Sequence, residues 1–105
     1  MASTEESRYR VDATGPAKEQ VRELLAKPST RSELQRVVDA LEAILIHLAT
    51  QPHDWGDPEY RTRKEGGMVY HGIVSPLIAW YAVYEPEKVV WLFDVQALPD
   101  SPLAK

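Results

Sequence analysis

Residues 59–98 leave a chain like this the fewest ways to fold. The stretch reads EYRTRKEGGMVYHGIVSPLIAWYAVYEPEKVVWLFDVQAL, with three runs rich in Val, Ile, Tyr and Trp separated by Gly-Gly, Ser-Pro and Glu-Pro-Glu-Lys. β-Branched and aromatic side chains suit the pleated surface of a strand, and turn formers at short intervals reverse the chain. The pattern predicts an antiparallel meander. A polar, basic strand covers 59–65, Gly66-Gly67 forms a two-residue turn, and a return strand runs over 68–74. Ser75-Pro76 makes a corner into a strand over 77–84, and residues 85–88 turn the chain into a last strand over 89–98. Strict alternation would place Val89, Trp91, Phe93, Val95 and Ala97 on one face of that strand, with Val90, Leu92 and Leu98 on the other. Apolar on both faces, it belongs in the middle of the sheet or under cover on both sides.

The sheet needs something to bury its apolar face, and the upstream segments supply it. Residues 1–7 show no periodic pattern and read as a flexible leader. Tyr9, Val11 and Ala13 alternate with Arg8, Arg10 and Asp12, the period of a half-buried strand. Gly15-Pro16 ends it, and proline suits the first turn of a helix because its missing N–H would have had no partner there. Val21, Leu24 and Leu25 then sit at helical spacing in a short amphipathic helix over 16–26. Pro28 stops that helix, and Thr30-Arg31-Ser32-Glu33 matches a capping box that starts a second one. Leu34, Val37, Val38, Leu41, Ile44, Leu45 and Leu48 recur at three- and four-residue steps along it. Two helices joined by so short a turn pack as an antiparallel hairpin. Residues 51–58, QPHDWGDP, read as an irregular connection, and 99–105, with two prolines, as a tail that frays.

A chain of 105 residues has room for one core, and at 44% hydrophobic and 27% charged residues it has the composition of a folded domain. The expectation is a single domain over 8–98. With no cysteine in the chain, disulfides, thiolate nucleophiles and Cys-based metal sites are excluded. That absence fits a reducing cytoplasm, and no apolar run has the length of a signal peptide or membrane span. A net charge of −4 opposes nonspecific nucleic-acid binding, which draws its affinity from phosphate neutralisation.

The order strand, helix, helix, then three or four antiparallel strands, in a chain of this length, resembles the RelE/ParE superfamily of small bacterial toxins from type II toxin–antitoxin (plasmid stabilization) modules. The residues that carry the likeness are Arg8-Tyr9-Arg10-Val11 as opening strand and Pro16-Ala17-Lys18 leading into the helical hairpin. They continue with Gln51-Pro52 and Gly56-Asp57-Pro58 at the hairpin exit, and with Tyr81-Ala82-Val83-Tyr84 and 89–95 as the last hairpin. The resemblance implies an α+β fold, β-α-α-β-β-β(β), with a helical hairpin packed on a small antiparallel sheet. It implies a growth-inhibiting toxin neutralised by a cognate antitoxin. RelE-like members cut messenger RNA on the ribosome, and ParE-like members inhibit DNA gyrase. A non-catalytic interaction module on the same fold is a further alternative.

For RNA cleavage the resemblance points to Arg61 and Arg63 for phosphate binding, with Lys64 and Tyr70 as further RNA contacts and His71 for proton transfer. Such chemistry needs a proton acceptor, a donor for the leaving oxygen and cations on the developing phosphorane charge. Where ribonuclease members carry an arginine before the final Val-Tyr, this chain has Ala82, and its tail offers no His or Tyr. Each candidate also has a structural reading. His71 can be a hydrogen-bonded strand residue, and Arg61, Arg63 and Lys64 can guard an exposed edge against pairing. His53 with Asp54 and Asp57 brings only one imidazole to a loop, so no metal and no cofactor are expected. His47 reads as packing or solvated, and Trp55, Trp80 and Trp91 as core and rim aromatics. The strip Val37, Leu41, Ile44 and Leu48 is wide enough to serve either as core or as the docking face for an antitoxin or a second copy of the chain.

Overall fold

The computed structural model describes residues 8–62 and 66–101. In chain order they form β1 (Arg10–Ala13), α1 (Gly15–Ala26), α2 (Arg31–Thr50), a one-turn α3 (Pro52–Trp55), β2 (Asp57–Arg61), β3 (Gly67–Val74), β4 (Leu77–Tyr84) and β5 (Val89–Ala97). The strands make one five-stranded sheet in the order β1-β5-β4-β3-β2. From β2 to β5 neighbours run antiparallel, as the meander predicts, whereas β1 lies parallel to β5, with Val11 beside Val90 and Ala13 beside Leu92. β5 is interior, where its two apolar faces require it to be.

Local chemistry explains the helices. The Thr14 hydroxyl accepts the Ala17 N–H at 3.2 Å and the Thr30 hydroxyl accepts the Glu33 N–H at 3.1 Å, so each helix begins on a capped donor. The Glu33 carboxylate reaches back to the Ser29 N–H at 3.1 Å, one residue before the N-cap that a capping box would serve. From there α2 lays Val37, Ala40, Ile44 and Leu48 onto the sheet, where they meet Leu77, Ala79, Tyr81 and Val83 of β4 and Val90, Leu92 and Val95 of β5 in one core. Burying a Leu or Ile side chain of this kind stabilises the fold by about 1.5–3 kcal/mol.

Several expectations need correction. Val37, Ile44 and Leu48 are at most 1% exposed, so three of the four residues expected at a docking face are core. The apolar residues that α2 leaves outside are Leu34, Leu45 and Ile46. The strand expected over 59–65 starts at Asp57 and ends at Arg61, and Arg63, Lys64 and Glu65 lie outside the described residues. The connection expected to be irregular over 51–58 instead holds α3 and the start of β2. Gly66 alone makes the described part of the first turn, at φ +87°, while Gly67 already pairs with Tyr84. β5 does not alternate strictly: its register against β4 shifts between Trp80 and Tyr81, and the extra residue there returns Val95 to the face that holds Val90 and Leu92. Gln20 of α1 serves this bulge, accepting the Val95 N–H at 2.9 Å and donating to the Asp94 carboxylate at 2.9 Å. The tail does not fray at Pro99: the Leu98 N–H donates to the Pro76 carbonyl, the Ser101 N–H to the Leu98 carbonyl, and Ser101 is buried. Among the described residues no helix is long and apolar enough to cross a membrane.

Candidate functional site

Antiparallel pairing decides which of the expected site residues can meet, since cross-strand partners share a face. Arg61, the last residue of β2, lies opposite Met68, which puts it on the same face as Tyr70. That is the face the helices cover, and Tyr70 is core, 7% exposed. His71 lies opposite Asp57 on the other face. Its Nδ1 is 2.6 Å from the Glu59 carboxylate and its Nε2 3.9 Å from that of Asp57. The pairing therefore joins Arg61 to Tyr70 and separates both from His71. Arg63 and Lys64 lie outside the described residues.

What gathers around Tyr70 was not visible in the sequence. The His53 Nε2–H donates to the Glu85 carboxylate at 3.0 Å, so in a neutral ring Nδ1 accepts the Tyr70 hydroxyl, 2.6 Å away. The Tyr9 hydroxyl donates to the same Glu85 oxygen, and the Lys88 ammonium stands 5.6 Å from the Tyr9 ring centre. Four segments thus close one polar network: the entry to β1, α3, β3 and the β4–β5 turn. The Tyr9 bond holds the Glu85 carboxyl below its ordinary range, helped by His53 and opposed by partial burial. Burial, then the Glu85 bond, pushes the Tyr9 phenol up to about 12. Tyr70 is raised by burial and by Asp54, with Arg61 working against the rise. These shifts hold the phenols protonated and the carboxylate charged, which suits a structural clasp and makes each phenol a poorer proton donor.

Behind the clasp runs a column of rings. Tyr70 stacks on Tyr81 at 5.4 Å, Tyr81 on Trp55 at 5.6 Å and Trp55 on His47 at 4.9 Å, all within 17° of parallel. Tyr81 donates to the Pro52 carbonyl at 2.6 Å and accepts the Gly56 N–H at 3.1 Å, so the column also fixes both ends of α3. Nothing in the spacing of residues 47, 55, 70 and 81 announces a stack, because each comes from a different element. Among the described residues no group of three His, Asp or Glu side chains is placed to hold a metal ion.

On the helix side an apolar cleft of about 320 Å³ opens between α1, α2 and β1, lined by Ala13, Val21, Leu41, Ile44, Leu45 and Leu92, with Lys18 at its side. Leu41, and Ile44 from deeper down, are the members of the expected docking strip that reach this cleft. Val37 and Leu48 do not line it.

No family model matches the sequence, and no curated protein matches it significantly. Solved structures do match in shape. A chain of the toxin–antitoxin complex RelBE2 from Mycobacterium tuberculosis superimposes with a TM-score of 0.64 at 18% identity, over 86% of this chain and 98% of that one. A chain of the archaeal RelE–RelB complex from Pyrococcus horikoshii superimposes with a TM-score of 0.58 at 14% identity, over 89% and 98%. A helical pair laid on one side of a five-stranded sheet, matched over 86–89% of this chain in the two comparisons, gives this chain the RelE-like α+β fold.

Proposed function

We propose that this chain is the toxin of a toxin–antitoxin pair, acts by binding its cellular target, and is silenced when a cognate antitoxin covers its helical side. The observation that carries the reading is the fold: two structures determined as toxin–antitoxin complexes match over nearly their whole matched chains. The cleft between α1, α2 and β1, with Leu45 on its wall 48% exposed and Ile46, the next residue along α2, 61% exposed, supplies the apolar surface an amphipathic partner segment would cover. Binding fits the geometry better than cleavage by the residues the resemblance points to. One phosphate cannot be held by Arg61 and attacked with help from His71 when the two side chains leave opposite faces of the sheet. His71 also stands between two carboxylates that repel a phosphodiester.

The test is to induce the chain in a bacterial host without its partner. Growth arrest is expected, relieved when the small protein encoded beside it is co-expressed, and retained by Arg61→Ala and His71→Ala. Unimpeded growth overturns the toxin reading. Arrest that disappears in either variant, together with new cuts in ribosome-bound message, overturns binding in favour of RNA cleavage.

A further inference from the structure

The sheet has two faces, and among the described residues the helices cover one. Every sheet residue of the shared core comes from the face that carries Tyr70, Tyr81, Val90 and Val95. Val69 and Ala82 belong to the opposite face, are 3% and 5% exposed, and stand outside that core. Among the described residues no helix element joins them in a core, and the side chains beside them on the sheet are aromatic. The register names these: Ala82 pairs with Trp91, Val69 with Tyr60, and Trp80 with its neighbour His71 lies one step along. This aromatic layer is itself partly open, with Trp91 38% and Tyr60 58% exposed. Ala82, where an arginine would have faced a phosphate, is a methyl group beneath rings.

Carboxylates stand at both margins of this face. At the β1 margin Asp12 stands beside Trp91 and pairs with Arg10 at 3.8 Å, whose side chain is 78% exposed. At the β2 margin Asp57 and Glu59 flank His71, and the Asp57 side chain is 85% exposed. Nucleic acid needs the opposite sign. A Lys or Arg side chain finds carboxylates for its charge and indole faces for its flat side. The two acidic margins are separated by the width of the sheet, four inter-strand gaps of about 4.8 Å, or roughly 20 Å with the offset along the strands. No small cation spans that distance. An extended polypeptide does so in about six residues at about 3.3 Å each.

We propose that the open sheet face docks an extended, cationic segment of a protein partner, with Lys or Arg residues about six positions apart engaging Asp12 at one margin and Asp57 and Glu59 at the other, across Trp91 and Trp80. The proposal goes beyond the toxin reading and stands independently of it, because its test reads binding and not growth.

The probe is a synthetic peptide with arginine pairs about six residues apart, titrated against the full chain by tryptophan fluorescence at low and high salt, beside a scrambled peptide with its arginines contiguous and a short single-stranded RNA. The spaced peptide is expected to bind more tightly than either control and to weaken with salt. Affinity is expected to fall about tenfold in the triple variant Asp12→Asn, Asp57→Asn, Glu59→Gln and several-fold in Trp91→Phe, and to hold in Glu19→Gln, Glu23→Gln, which removes carboxylates from α1 instead. Equal loss in the α1 variant, equal affinity for the scrambled peptide, or tighter binding of the RNA overturns it. Circular dichroism of each variant separates lost binding from lost fold.

Discussion

Tyr81 shows how much a single side chain in this domain has to satisfy. It is fully buried, flanked by Trp55 and Tyr70, and its hydroxyl answers two backbone groups at once, the Pro52 carbonyl and the Gly56 N–H. Tyr81→Phe keeps the rings and removes the oxygen, leaving a donor and an acceptor without their partner, so urea unfolding should show a loss of about 1–3 kcal/mol with an unchanged denaturant slope. Glu85 belongs to the same scale. Its folded-state pKa is depressed, chiefly by the Tyr9 hydroxyl, so the stability it contributes is present above the ordinary carboxylate range and is lost as the pH falls through the lower, folded value. Melting temperatures recorded from neutral pH into acid should therefore fall less steeply for Glu85→Gln than for the parent chain, and curves of equal slope would show that the clasp contributes nothing to acid sensitivity. Tyr9 has the opposite sign: its pKa, raised to about 12, makes a contribution that is complete below the ordinary phenol value and lost as the pH rises toward 12.

At the scale of elements, α2 was the most legible part of the chain because one periodicity runs its whole length and a capping residue marks its start. Thr30→Ala removes the acceptor for the Glu33 N–H and should cost about 1 kcal/mol, with amide exchange accelerated in the first turn of α2 and unchanged in β4. The meander was equally legible from its turn formers. Two things were not. Alternation alone cannot show a bulge, so it puts Val95 on the wrong face of β5; the clue lies in Gln20, 75 residues away, which holds the bulged backbone. Pairing direction was also hidden for β1, because four residues of period two look alike whether they run parallel or antiparallel to a partner. The candidate site was less readable than the fold for the same reason. Arg61 and His71 are ten positions apart on paired strands, and only the register, with its shift between Pro58 and Tyr60, shows that they leave opposite faces. The clasp of Tyr9, His53, Tyr70 and Glu85 joins residues up to 76 positions apart, beyond any local pattern.

For the whole molecule, the division of labour follows from which sides of the sheet are covered. One side takes the helices and becomes core, with an apolar cleft left at the junction of α1, α2 and β1; the other, among the described residues, takes no helix and carries aromatics and carboxylates. Arg61 and His71 leave opposite faces of the sheet, the geometry on which the proposed binding role rests. The most direct measurement is a calorimetric titration of the purified chain with the small protein encoded beside it, repeated with Leu45→Asp, Ile46→Asp. A complex with a Kd of about 10 nM or tighter is predicted for the parent chain, weakened at least about a hundredfold in the doubly substituted one while its circular dichroism is unchanged. Full affinity in that variant, or no complex with the parent chain, would contradict the account.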